Sequence, residues 1–414
     1  MEIKKIAIVG AGPAGMMAAI RAAGLKQDVT LFERNPTLGR KLLLSGKGRC
    51  NLTNTCDFDS FIEKFSGNGQ FLRDAFRKFF NHELMRFFEE RGLKLRVERQ
   101  LRVFPSTDSS ASVLAVLKRE LLKNKVKVLQ DCRINAIIAE NGTAKGISFS
   151  GARHFSADRI ILATGGVSYS FTGSSGDGLE IARSLGHRIV PLRPGLSPLI
   201  IRQGYPKLLE GLTLKNIRLK ISDEKKEIIS PVGELLFTGR GISGPLVFSL
   251  SAKIGEWLEK SHNLYMEIDL KPGLSSEQLN SRLLREFKSN PKKNARNTLK
   301  ILLPQRLIDL SMDILKLSPD KKVSQITQAE RLKIISLLKA FRMDITSLAS
   351  IEEGMVTRGG VSLKDINPRT MESRLVKGLY FAGEIIDVDA DTGGFNLQAA
   401  FSTGYLAGES AALS

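Results

Sequence analysis

A glycine-rich motif and a following acidic residue give this chain its clearest chemical signature. Gly10, Gly12 and Gly15 form a G-x-G-x-x-G motif directly after the apolar run Lys5–Val9, and Glu33 follows a second apolar run. In such a unit the first glycine makes a tight turn, the second lets the backbone approach a pyrophosphate, and the third lets helix and strand pack closely. The pyrophosphate lies at the positive end of the helix, and the acid accepts hydrogen bonds from a ribose. The sequence therefore predicts a dinucleotide site.

Three further patterns leave alternatives open. Arg34 would suit a ribose 2′-phosphate, although the acid that precedes it disfavours that group. Residues 239–244 repeat the glycine motif and would suit a second nucleotide such as NAD(P)H, but Pro245 follows at once and the next acids come late. Cys50 and Cys56 suggest a disulfide reductase, but their spacing is one residue longer than such enzymes use. We therefore favour a packing role for Cys50 near the site and no specific role for Cys56.

Strands and helices alternate around these residues up to about residue 188, which indicates an α/β fold. Asn141 and Gly142 predict a hairpin turn. The predicted strands are Lys5–Val9, Val29–Phe32, Leu93–Val97, Leu101–Phe104, Val126–Leu129, Ile134–Ile138, Ala144–Phe149 and Arg159–Ala163. The predicted helices are Met16–Ala23, Phe71–Gly92, Ser112–Leu122 and Asp177–Leu185.

Changes of pattern along the chain predict an interrupted architecture. Recurring prolines and short apolar runs over residues 189–270 indicate a β-rich domain, and helical periodicity over residues 271–349 indicates a helical domain. The α/β pattern then returns, with a strand that enters a glycine turn and a last apolar helix. We therefore predict a dinucleotide-binding domain over residues 1–188 and 350–414, with the other two domains inserted.

Composition excludes several classes of protein. The 414-residue chain has 42% apolar and 25% charged residues, which excludes a disordered chain. The chain contains no long uninterrupted apolar run, so we predict no membrane helix. Its three cysteines do not predict a disulfide framework, and its four scattered histidines do not predict a metal site. The first residues imitate a signal peptide, but their glycines and Pro13 favour a strand–turn–helix. We expect a cytoplasmic protein with no membrane association.

The chain is strongly basic. It carries 62 Lys and Arg against 43 Asp and Glu, a formal charge of +19. Residues 271–345 hold 16 of these basic residues against 7 acidic ones, and therefore +9 of the charge. Scattered surface charge is the simpler explanation, and nucleic acid is the alternative partner that this charge would suit.

Longer motifs resemble a known family. The glycine unit, residues 163–166 and residues 380–384 are similar to the two-dinucleotide-binding-domain flavoproteins, which bind FAD. The stretches that narrow the resemblance are residues 39–51, 233–245, 356–361 and 383–408. They resemble the YhiN/BaiN-like, aminoacetone oxidase-like family of bacterial NAD(P)/FAD-dependent oxidoreductases. The resemblance runs from residue 5 to about residue 408 and implies a Rossmann-like FAD domain interrupted by a barrel-like β-rich domain and a small helical domain.

The resemblance also implies a cofactor site. Glu33 and the glycine motif would hold the ADP half of FAD, Ile134 would offer backbone groups to the adenine, and Thr164 would close over the same half. Glu384 would lie near the ribityl chain or pyrophosphate. The helix that begins after Gly394 would point its N-terminus at the flavin pyrimidine, where it stabilises the charge of reduced flavin. The implied cofactor-binding residues are Gly10, Gly12, Pro13, Ala14, Gly15, Glu33, Arg34, Arg40, Lys41, Ser45, Gly46, Gly48, Arg49, Cys50, Asn51, Ile134, Thr164, Gly165, Gly166, Gly383, Glu384, Gly393, Gly394, Phe395, Asn396 and Leu397.

The segment from Arg40 to Asn51 is implied to run beside the ribityl chain and the flavin ring. Two positions depart from the family pattern: Lys47 stands where a glycine is usual, and Gly239 stands where a histidine is usual. Lys47 would place a cation beside the flavin. The absence of the histidine leaves no candidate for acid or base catalysis.

These observations predict an FAD-dependent oxidoreductase. It would transfer hydride between flavin N5 and a small organic substrate, with NADH or NADPH as a transient electron donor. One alternative is an FAD-containing protein that binds or modifies tRNA or another nucleic acid. The other alternative is a thiol-disulfide reductase that uses Cys50 and Cys56.

Overall fold

The computed structural model describes residues 2–149, 153–223, 225–260 and 263–414. The chain folds as two compact units, each with its own cluster of buried apolar side chains. The first unit comprises Met1–Gly195 and Ile351–Ser414, and the second unit comprises Leu196–Ser350. Among the described residues, no helix combines the length and apolar character that a membrane crossing requires.

The strands are β1 (Lys5–Val9), β2 (Asp28–Phe32), β3 (Thr53–Asn54), β4 (Leu95–Val97), β5 (Arg102–Pro105), β6 (Lys127–Leu129), β7 (Ile134–Glu140), β8 (Thr143–Phe149), β9 (Arg153–Ser156), β10 (Arg159–Leu162), β11 (Ile189–Gly195), β12 (Leu199–Ile201), β13 (Thr213–Ser222), β14 (Glu227–Ile229), β15 (Gly233–Phe237), β16 (Gly241–Ser243), β17 (Leu264–Asp269), β18 (Phe341–Leu348), β19 (Val356–Val361) and β20 (Leu379–Phe381). The α-helices are α1 (Pro13–Gly24), α2 (Arg40–Leu44), α3 (Phe58–Ile62), α4 (Arg73–Lys78), α5 (Asn81–Glu89), α6 (Ser110–Lys123), α7 (Asp177–Ser184), α8 (Tyr205–Leu208), α9 (Pro245–Leu258), α10 (Ser276–Ser289), α11 (Ala295–Leu299), α12 (Gln305–Leu315), α13 (Gln328–Lys339) and α14 (Phe395–Leu413).

A five-stranded parallel sheet organises the first unit. Its strand order is β20–β10–β1–β2–β6, and Ile8 of β1 lies between Ile161 of β10 and Leu31 of β2. The chain moves from β1 to β2 on one side and places β10 and β20 on the other, so the strand order reverses at β1. Ligands of open α/β sheets bind outside the carboxyl ends of the strands at such a reversal. Gly10 directly follows the carboxyl end of β1.

Two glycines let the last helix of the chain pack closely on the first. A Cβ on Gly404 of α14 would lie 2.2 Å from the carbonyl oxygen of Ala14, and one on Gly408 would lie 2.4 Å from that of Ala18. Gly383, after β20, faces the same helix, because its Cβ would lie 2.8 Å from the Cβ of Ala14. This contact brings the closing segment of the chain beside the first glycine turn.

The second unit contains a closed antiparallel barrel. Its strands follow the order β13–β15–β16–β12–β18–β17, and β17 pairs again with β13, which closes the ring. Alternate residues of β17 are buried, namely Leu264, Met266 and Ile268, so one face of the strand fills the core. Helices α10 to α13 contribute apolar side chains to the same core. The predicted fold class is confirmed: an α/β dinucleotide-binding fold is interrupted by a barrel-like part and helices.

Two elements differ from the sequence prediction. The helix predicted over Phe71–Gly92 is broken after α4, because the Phe79 carbonyl accepts hydrogen bonds from Ser402 Oγ (2.6 Å) and Gln398 Nε2 (3.2 Å) instead of continuing a helix. Strand β18 lies in a stretch predicted as helical, and it pairs with both β12 and β17. The division of the middle of the chain into separate β-rich and helical domains stays a prediction.

Candidate cofactor site

The first glycine motif forms a turn that only glycine can make. Gly10 has a φ of +102°, and a Cβ there would lie 2.5 Å from the carbonyl oxygen of Ala163. A Cβ on Gly15 would lie 1.9 Å from the carbonyl oxygen of Gly10. Gly12 differs, because a Cβ there would meet no atom within 4 Å. The turn at Gly10 and Gly15 is therefore required by protein packing, whereas Gly12 faces open space at the N-terminus of α1, as a phosphate-binding turn needs.

Glu33 lies directly beside this turn. Its Oε2 accepts a hydrogen bond from the Ala11 N–H (2.9 Å), and its Oε1 accepts from the backbone N–H (2.9 Å) and the side-chain Nδ2 (2.7 Å) of Asn35. Arg34 points elsewhere, since its guanidinium donates to Ser175 Oγ and, at 3.1 Å, to Asp177 Oδ2. These hydrogen bonds hold Glu33, the predicted ribose acceptor, in one orientation. Arg34, which a 2′-phosphate would need, is already paired with Ser175 and Asp177.

A partly exposed ion pair joins distant parts of the first unit. Lys41 Nζ donates to Glu384 Oε2 (2.6 Å) and to Ser168 Oγ (2.7 Å). Glu384 Oε1 accepts from Ser168 Oγ (3.1 Å) and from the Thr357 N–H (2.7 Å). Both oxygens of the partly exposed carboxylate therefore accept hydrogen bonds, one of them from a cation, which holds the side chain in one orientation. This network places Lys41 and Glu384 together, as a shared role near the cofactor would require.

The sequence prediction missed two members of this network, Ser168 and Thr357. Thr357 Oγ1 accepts from the N–H groups of Val167 (2.8 Å) and Ser168 (3.1 Å). Gly166 is needed beside it, because a Cβ there would lie 2.2 Å from that same Oγ1. Thr357 lies in a stretch that carried the family resemblance, which was the one available signal. Ser168 is a common residue type without a distinguishing pattern.

The loop after α2 has an unusual backbone. Gly46, Lys47, Gly48 and Cys50 all have φ values between +57° and +84°. Backbone of this kind is costly for residues other than glycine and is concentrated at ligand sites. Ser45 stabilises the loop, because its carbonyl accepts from the Cys50 N–H at 2.9 Å.

Two buried oxygen atoms have no hydrogen-bond partner among the described residues: Asn51 Oδ1, in the segment that follows this loop, and Thr164 Oγ1, which packs against Gly178 of α7. A Cβ on Gly48 would meet no atom within 4 Å, so this loop also faces open space. Unpaired buried oxygens are rare in proteins because each costs about 1–3 kcal/mol. A cofactor with hydroxyl and amide groups, such as FAD, fits these residues.

Two arginines of the predicted site are held by other side chains. Arg49 donates to Asp108 Oδ1 (2.6 Å) and to Glu98, and its guanidinium lies 4.2 Å from the centre of the Phe104 ring. Arg40 Nη1 donates to Asn35 Oδ1 at 2.9 Å. Both guanidiniums therefore stabilise the surrounding loops.

The cysteines lack the properties of a redox pair. All three cysteines of the chain are free, and Cys50 is completely buried. Burial raises the pKa of the Cys50 thiol to about 12. The pKa of Cys56 is also raised, by burial and by neighbouring Asp57. Thiol exchange requires a thiolate, so these pKa shifts disfavour the thiol-disulfide reductase alternative.

The N-terminus of α14 follows a tight glycine pair. Gly394 has a φ of +100°, and a Cβ there would lie 2.4 Å from the carbonyl of Thr53. Asn396 closes the preceding loop, because its Oδ1 accepts from the Ala390 N–H (3.0 Å) and its Nδ2 donates to the Ala390 carbonyl (2.8 Å). Its side chain therefore shapes the loop, and the first backbone N–H groups of α14 remain the donors that a ligand would use. Phe395 is buried and Leu397 is half-buried.

Ile134 is the residue that the resemblance implies beside the adenine. It begins β7 and lines a cavity of about 320 Å³ together with Arg133 and Asp177. Arg133 Nε donates to Asp177 Oδ2 at 2.7 Å, which closes one side of the cavity with an ion pair. Gly165 has a φ of +77°, and a Cβ on this residue would lie 3.9 Å from Glu384 Oε2.

The second glycine motif has a different structure from the first. Its middle residues form β16, which pairs antiparallel with β15, and a Cβ on Gly241 would lie 1.8 Å from the carbonyl oxygen of Leu199 in β12. Gly241 is therefore required by strand packing in the barrel. The motif does not form the strand–turn–helix unit of a dinucleotide site.

Comparison with known proteins identifies close relatives over nearly the full length. The family model described as HI0933-like protein Rossmann domain matches residues 4–410. The 3-dehydro-bile acid delta(4,6)-reductase of Clostridium scindens is 31% identical over 413 residues, which cover 99% of each chain. The ribosomal RNA dihydrouridine synthase of Escherichia coli is 30% identical over 410 residues, which cover 98% of this chain and 97% of that protein.

Solved structures with a similar fold are more distant in sequence. The 3-ketosteroid-delta4-(5alpha)-dehydrogenase from Rhodococcus jostii has a TM-score of 0.55 at 14% identity, with 100% of this chain and 98% of that chain covered. The 3-ketosteroid delta1-dehydrogenase from Sterolibacterium denitrificans has a TM-score of 0.56 at 12% identity, with both chains fully covered. At these identities the likeness concerns the fold alone.

Proposed function

The chain belongs to the HI0933-like family and is an FAD-dependent oxidoreductase, and we propose that it reduces a carbon–carbon double bond conjugated to a carbonyl group. The observation that carries this proposal is the chemistry common to two relatives that differ widely in substrate. One is named for reducing the 4,6 double bonds of a 3-dehydro-bile acid, and the other for making dihydrouridine in ribosomal RNA.

The two named products arise by the same bond change. In a 3-oxo steroid the double bonds are conjugated to the ketone, and in uracil the C5–C6 double bond is conjugated to the C4 carbonyl. Reduction adds a hydride to the carbon β to the carbonyl and a proton to the α carbon. The carbonyl oxygen carries negative charge after the hydride has added and before the α carbon is protonated. Hydrogen-bond donors near this oxygen therefore lower the activation barrier of the reduction.

The residues that would hold FAD are those of the first unit. The turn at Gly10 and Gly12 suits the pyrophosphate, Glu33 suits a ribose, and the N-terminus of α14 suits the pyrimidine end of the flavin. FAD supplies hydride transfer when it is bound. Asn51 Oδ1 would accept a hydrogen bond from the cofactor and so lose its cost as an unpaired atom.

We further propose that NADH or NADPH provides the electrons by binding transiently at the flavin. The reduction consumes two electrons per double bond, so a donor is required. The glycines at 239–244 pack within the barrel, so they supply no separate site for this donor. Arg34 is paired with Asp177 and follows Glu33, which suits a ribose of FAD, so we expect other residues to set any preference between NADH and NADPH.

RNA is one of the two candidate substrates, and the formal charge of +19 favours it. A relative at 30% identity is named for a reaction on ribosomal RNA. A bile-acid-like substrate carries one negative charge and needs no such excess of basic residues, whereas RNA carries one charge per nucleotide. The charge therefore ranks a uracil in RNA above a steroid.

Product analysis tests this proposal. The FAD-loaded protein is incubated without oxygen with NADH or NADPH and either an unsaturated 3-oxo steroid or unmodified ribosomal RNA transcribed in vitro. Mass spectrometry should detect the gain of two hydrogen atoms on one of the two, and a saturated 3-oxo steroid serves as the control. The absence of this gain on both the unsaturated steroid and the ribosomal RNA would refute the proposal.

A further inference from the structure

The basic residues of the second unit are concentrated rather than scattered. Residues 271–345 make up less than a fifth of the chain and hold +9 of its +19 charge. Within this segment, residues 285–300 contain six Lys and Arg and a single acid, Glu286. A second basic pair, Lys321 and Lys322, lies well apart in the sequence. The sequence alone gives no reason for these two groups to meet.

The fold brings the two groups together. Asn294 and Lys322 form an antiparallel β-bridge between the turn that precedes α11 and the turn that follows α12. The Val323 N–H donates to the carbonyl of Lys293 at 2.9 Å, and the Ala295 N–H donates to the carbonyl of Lys321 at 2.8 Å. Two Lys–Lys pairs therefore lie side by side on a rigid pair of hydrogen-bonded turns.

The lysines of these turns divide into paired and unpaired side chains. Lys321 Nζ donates to Glu330 Oε1 at 2.7 Å and is half-buried. Lys292, Lys293 and Lys322 are exposed, and none of them forms an ion pair or side-chain hydrogen bond with another described residue. We call these three residues the lysine surface. Like charges held close together repel one another, so three neighbouring lysines that form no ion pair suggest an anionic partner.

The surroundings of the lysine surface indicate which anion it suits. The two aromatic residues of the segment 271–345, Phe287 and Phe341, are both buried, so this segment offers no aromatic ring to stack on a base. Contacts between lysine side chains and phosphates position a nucleic acid without reading its sequence. Lysine suits such contacts because it acts as a point charge with three donors.

We propose that the lysine surface binds the phosphate backbone of the RNA on which the enzyme acts. This inference rests on the RNA substrate considered under the proposed function. The surface would raise the affinity for RNA and hold it on the protein, while the uracil itself would be selected at the flavin. Neutralising the three lysines should therefore weaken RNA binding without changing reactions of small molecules at the flavin.

The test compares two triple variants of the full-length, FAD-loaded protein. In the first, Lys292, Lys293 and Lys322 are changed to Gln. In the matched control, exposed lysines of the first unit are changed to Gln, namely Lys118, Lys123 and Lys145. Filter binding measures the affinity for protein-free ribosomal RNA at several salt concentrations. Reduction of the flavin by NADH or NADPH is measured in parallel.

We expect the lysine-surface variant to bind RNA about tenfold or more weakly at low salt, and the slope of log K against log salt to fall by about 2–3, since each lost phosphate contact removes about 0.7–0.9. The control variant should keep the native slope. An unchanged slope in the lysine-surface variant would overturn this inference while leaving the proposed reductase intact. Loss of binding to anionic phospholipid vesicles with unchanged RNA binding would also overturn it, in favour of a lipid surface. If neither NADH nor NADPH reduces the flavin of the native protein, that result would instead contradict the proposed function.

Discussion

Two buried oxygen atoms carry the cofactor argument at the scale of single residues. Asn51 Oδ1 and Thr164 Oγ1 lack hydrogen-bond partners among the described residues, although a folded protein normally pairs such atoms. Both belong to segments beside the open glycine turns. Their cost is removed if a ligand supplies donors. The unpaired Asn51 Oδ1, beside the loop of Gly46 and Gly48, therefore supports a cofactor contact at this loop.

Replacing Asn51 with Ala tests this interpretation. We expect the affinity for FAD to fall about tenfold, because about 1.4 kcal/mol is lost with one hydrogen bond to the cofactor. The stability of the cofactor-free protein should change little, since the removed oxygen has no partner there. Fluorescence titration with FAD measures the affinity, and Asn124→Ala, whose Nδ2 only caps α6 through the Glu120 carbonyl, is the control. Native affinity in the Asn51 variant would contradict a contact with FAD.

His187 provides a residue-scale prediction about pH. Its ring nitrogens lie 3.0 Å from the Ala182 carbonyl oxygen and 2.7 Å from Ser373 Oγ, and the ring is almost completely buried. Burial lowers the pKa of His187 below its ordinary value of 6.5, although Asp365 opposes this shift. The unfolded chain therefore binds the proton more tightly than the folded protein. Stability should fall as the pH drops from above 6.5 towards the lowered folded pKa.

Urea unfolding of the native protein and of His187→Gln measures this effect between about pH 8 and pH 5. The variant should be less stable at high pH, because two buried hydrogen bonds are disturbed. It should also lose less stability on acidification, since the titrating group is gone. Equal pH dependence in both proteins would show that His187 does not contribute to the acid sensitivity.

At this scale the sequence predicts some residues and not others. The glycine turn is predictable because its steric requirements are local: Gly10 and Gly15 are needed for contacts within a few residues of each other or with a neighbouring strand. Ser168 and Thr357 hold Glu384 through hydrogen bonds between segments that are far apart in the chain. No local pattern encodes such contacts, so only the fold reveals them.

The pairing of α1 and α14 is the decisive contact at the scale of secondary-structure elements. Gly404 and Gly408 lie one helical turn apart and allow the backbones to approach. The contact fixes the first turn of α1, which begins at the glycine motif, against the helix whose N-terminus is implied to face the flavin. Element packing and cofactor binding are therefore coupled.

Gly404→Ala should expose this coupling. Its Cβ would lie 2.2 Å from the Ala14 carbonyl oxygen, so the helices must separate, at a cost of about 1–3 kcal/mol. We expect a lower melting temperature and a lower FAD content in the purified protein. Gly204→Ala is the matched control, because a Cβ at Gly204 meets no atom within 4 Å and its φ is not positive. A Gly404 variant with native stability and FAD content would refute the coupling.

Element prediction from the sequence succeeded where the pattern was local and failed where packing decided. The hairpin at Asn141 and Gly142 forms with positive φ at both residues, as its turn type demands. The helix break at Phe79 depends on side chains of α14, more than three hundred residues later. Strand β18 directly follows the helix α13, and its pairing partners β12 and β17 are remote in sequence.

At the scale of the whole molecule, the chain combines an interrupted first unit with a continuous second unit. The sequence indicated the interruption, because the α/β pattern stops and returns. Barrel closure could not be predicted, since it depends on β17 pairing with β13 and β18 pairing with β12 across long separations. The second unit has its own apolar core, formed by barrel strands and helices together.

The second unit should therefore fold independently. A fragment of residues 196–350 should unfold in one cooperative thermal transition, because its core is formed by its own residues. It should bind no FAD, since the glycine turns belong to the first unit. Circular dichroism and flavin absorbance check both statements. A fragment without a cooperative transition would show that the second unit depends on the first.

The most direct test of the central claim is anaerobic stopped-flow absorbance of the FAD-loaded protein in two steps. We predict that NADH or NADPH bleaches the visible flavin band and that a carbonyl-conjugated alkene, presented as an unsaturated 3-oxo steroid or as unmodified ribosomal RNA, restores it. The saturated steroid should leave the flavin reduced. A flavin that neither nicotinamide can reduce, or that neither alkene can reoxidise, would contradict the account of this protein as a double-bond reductase.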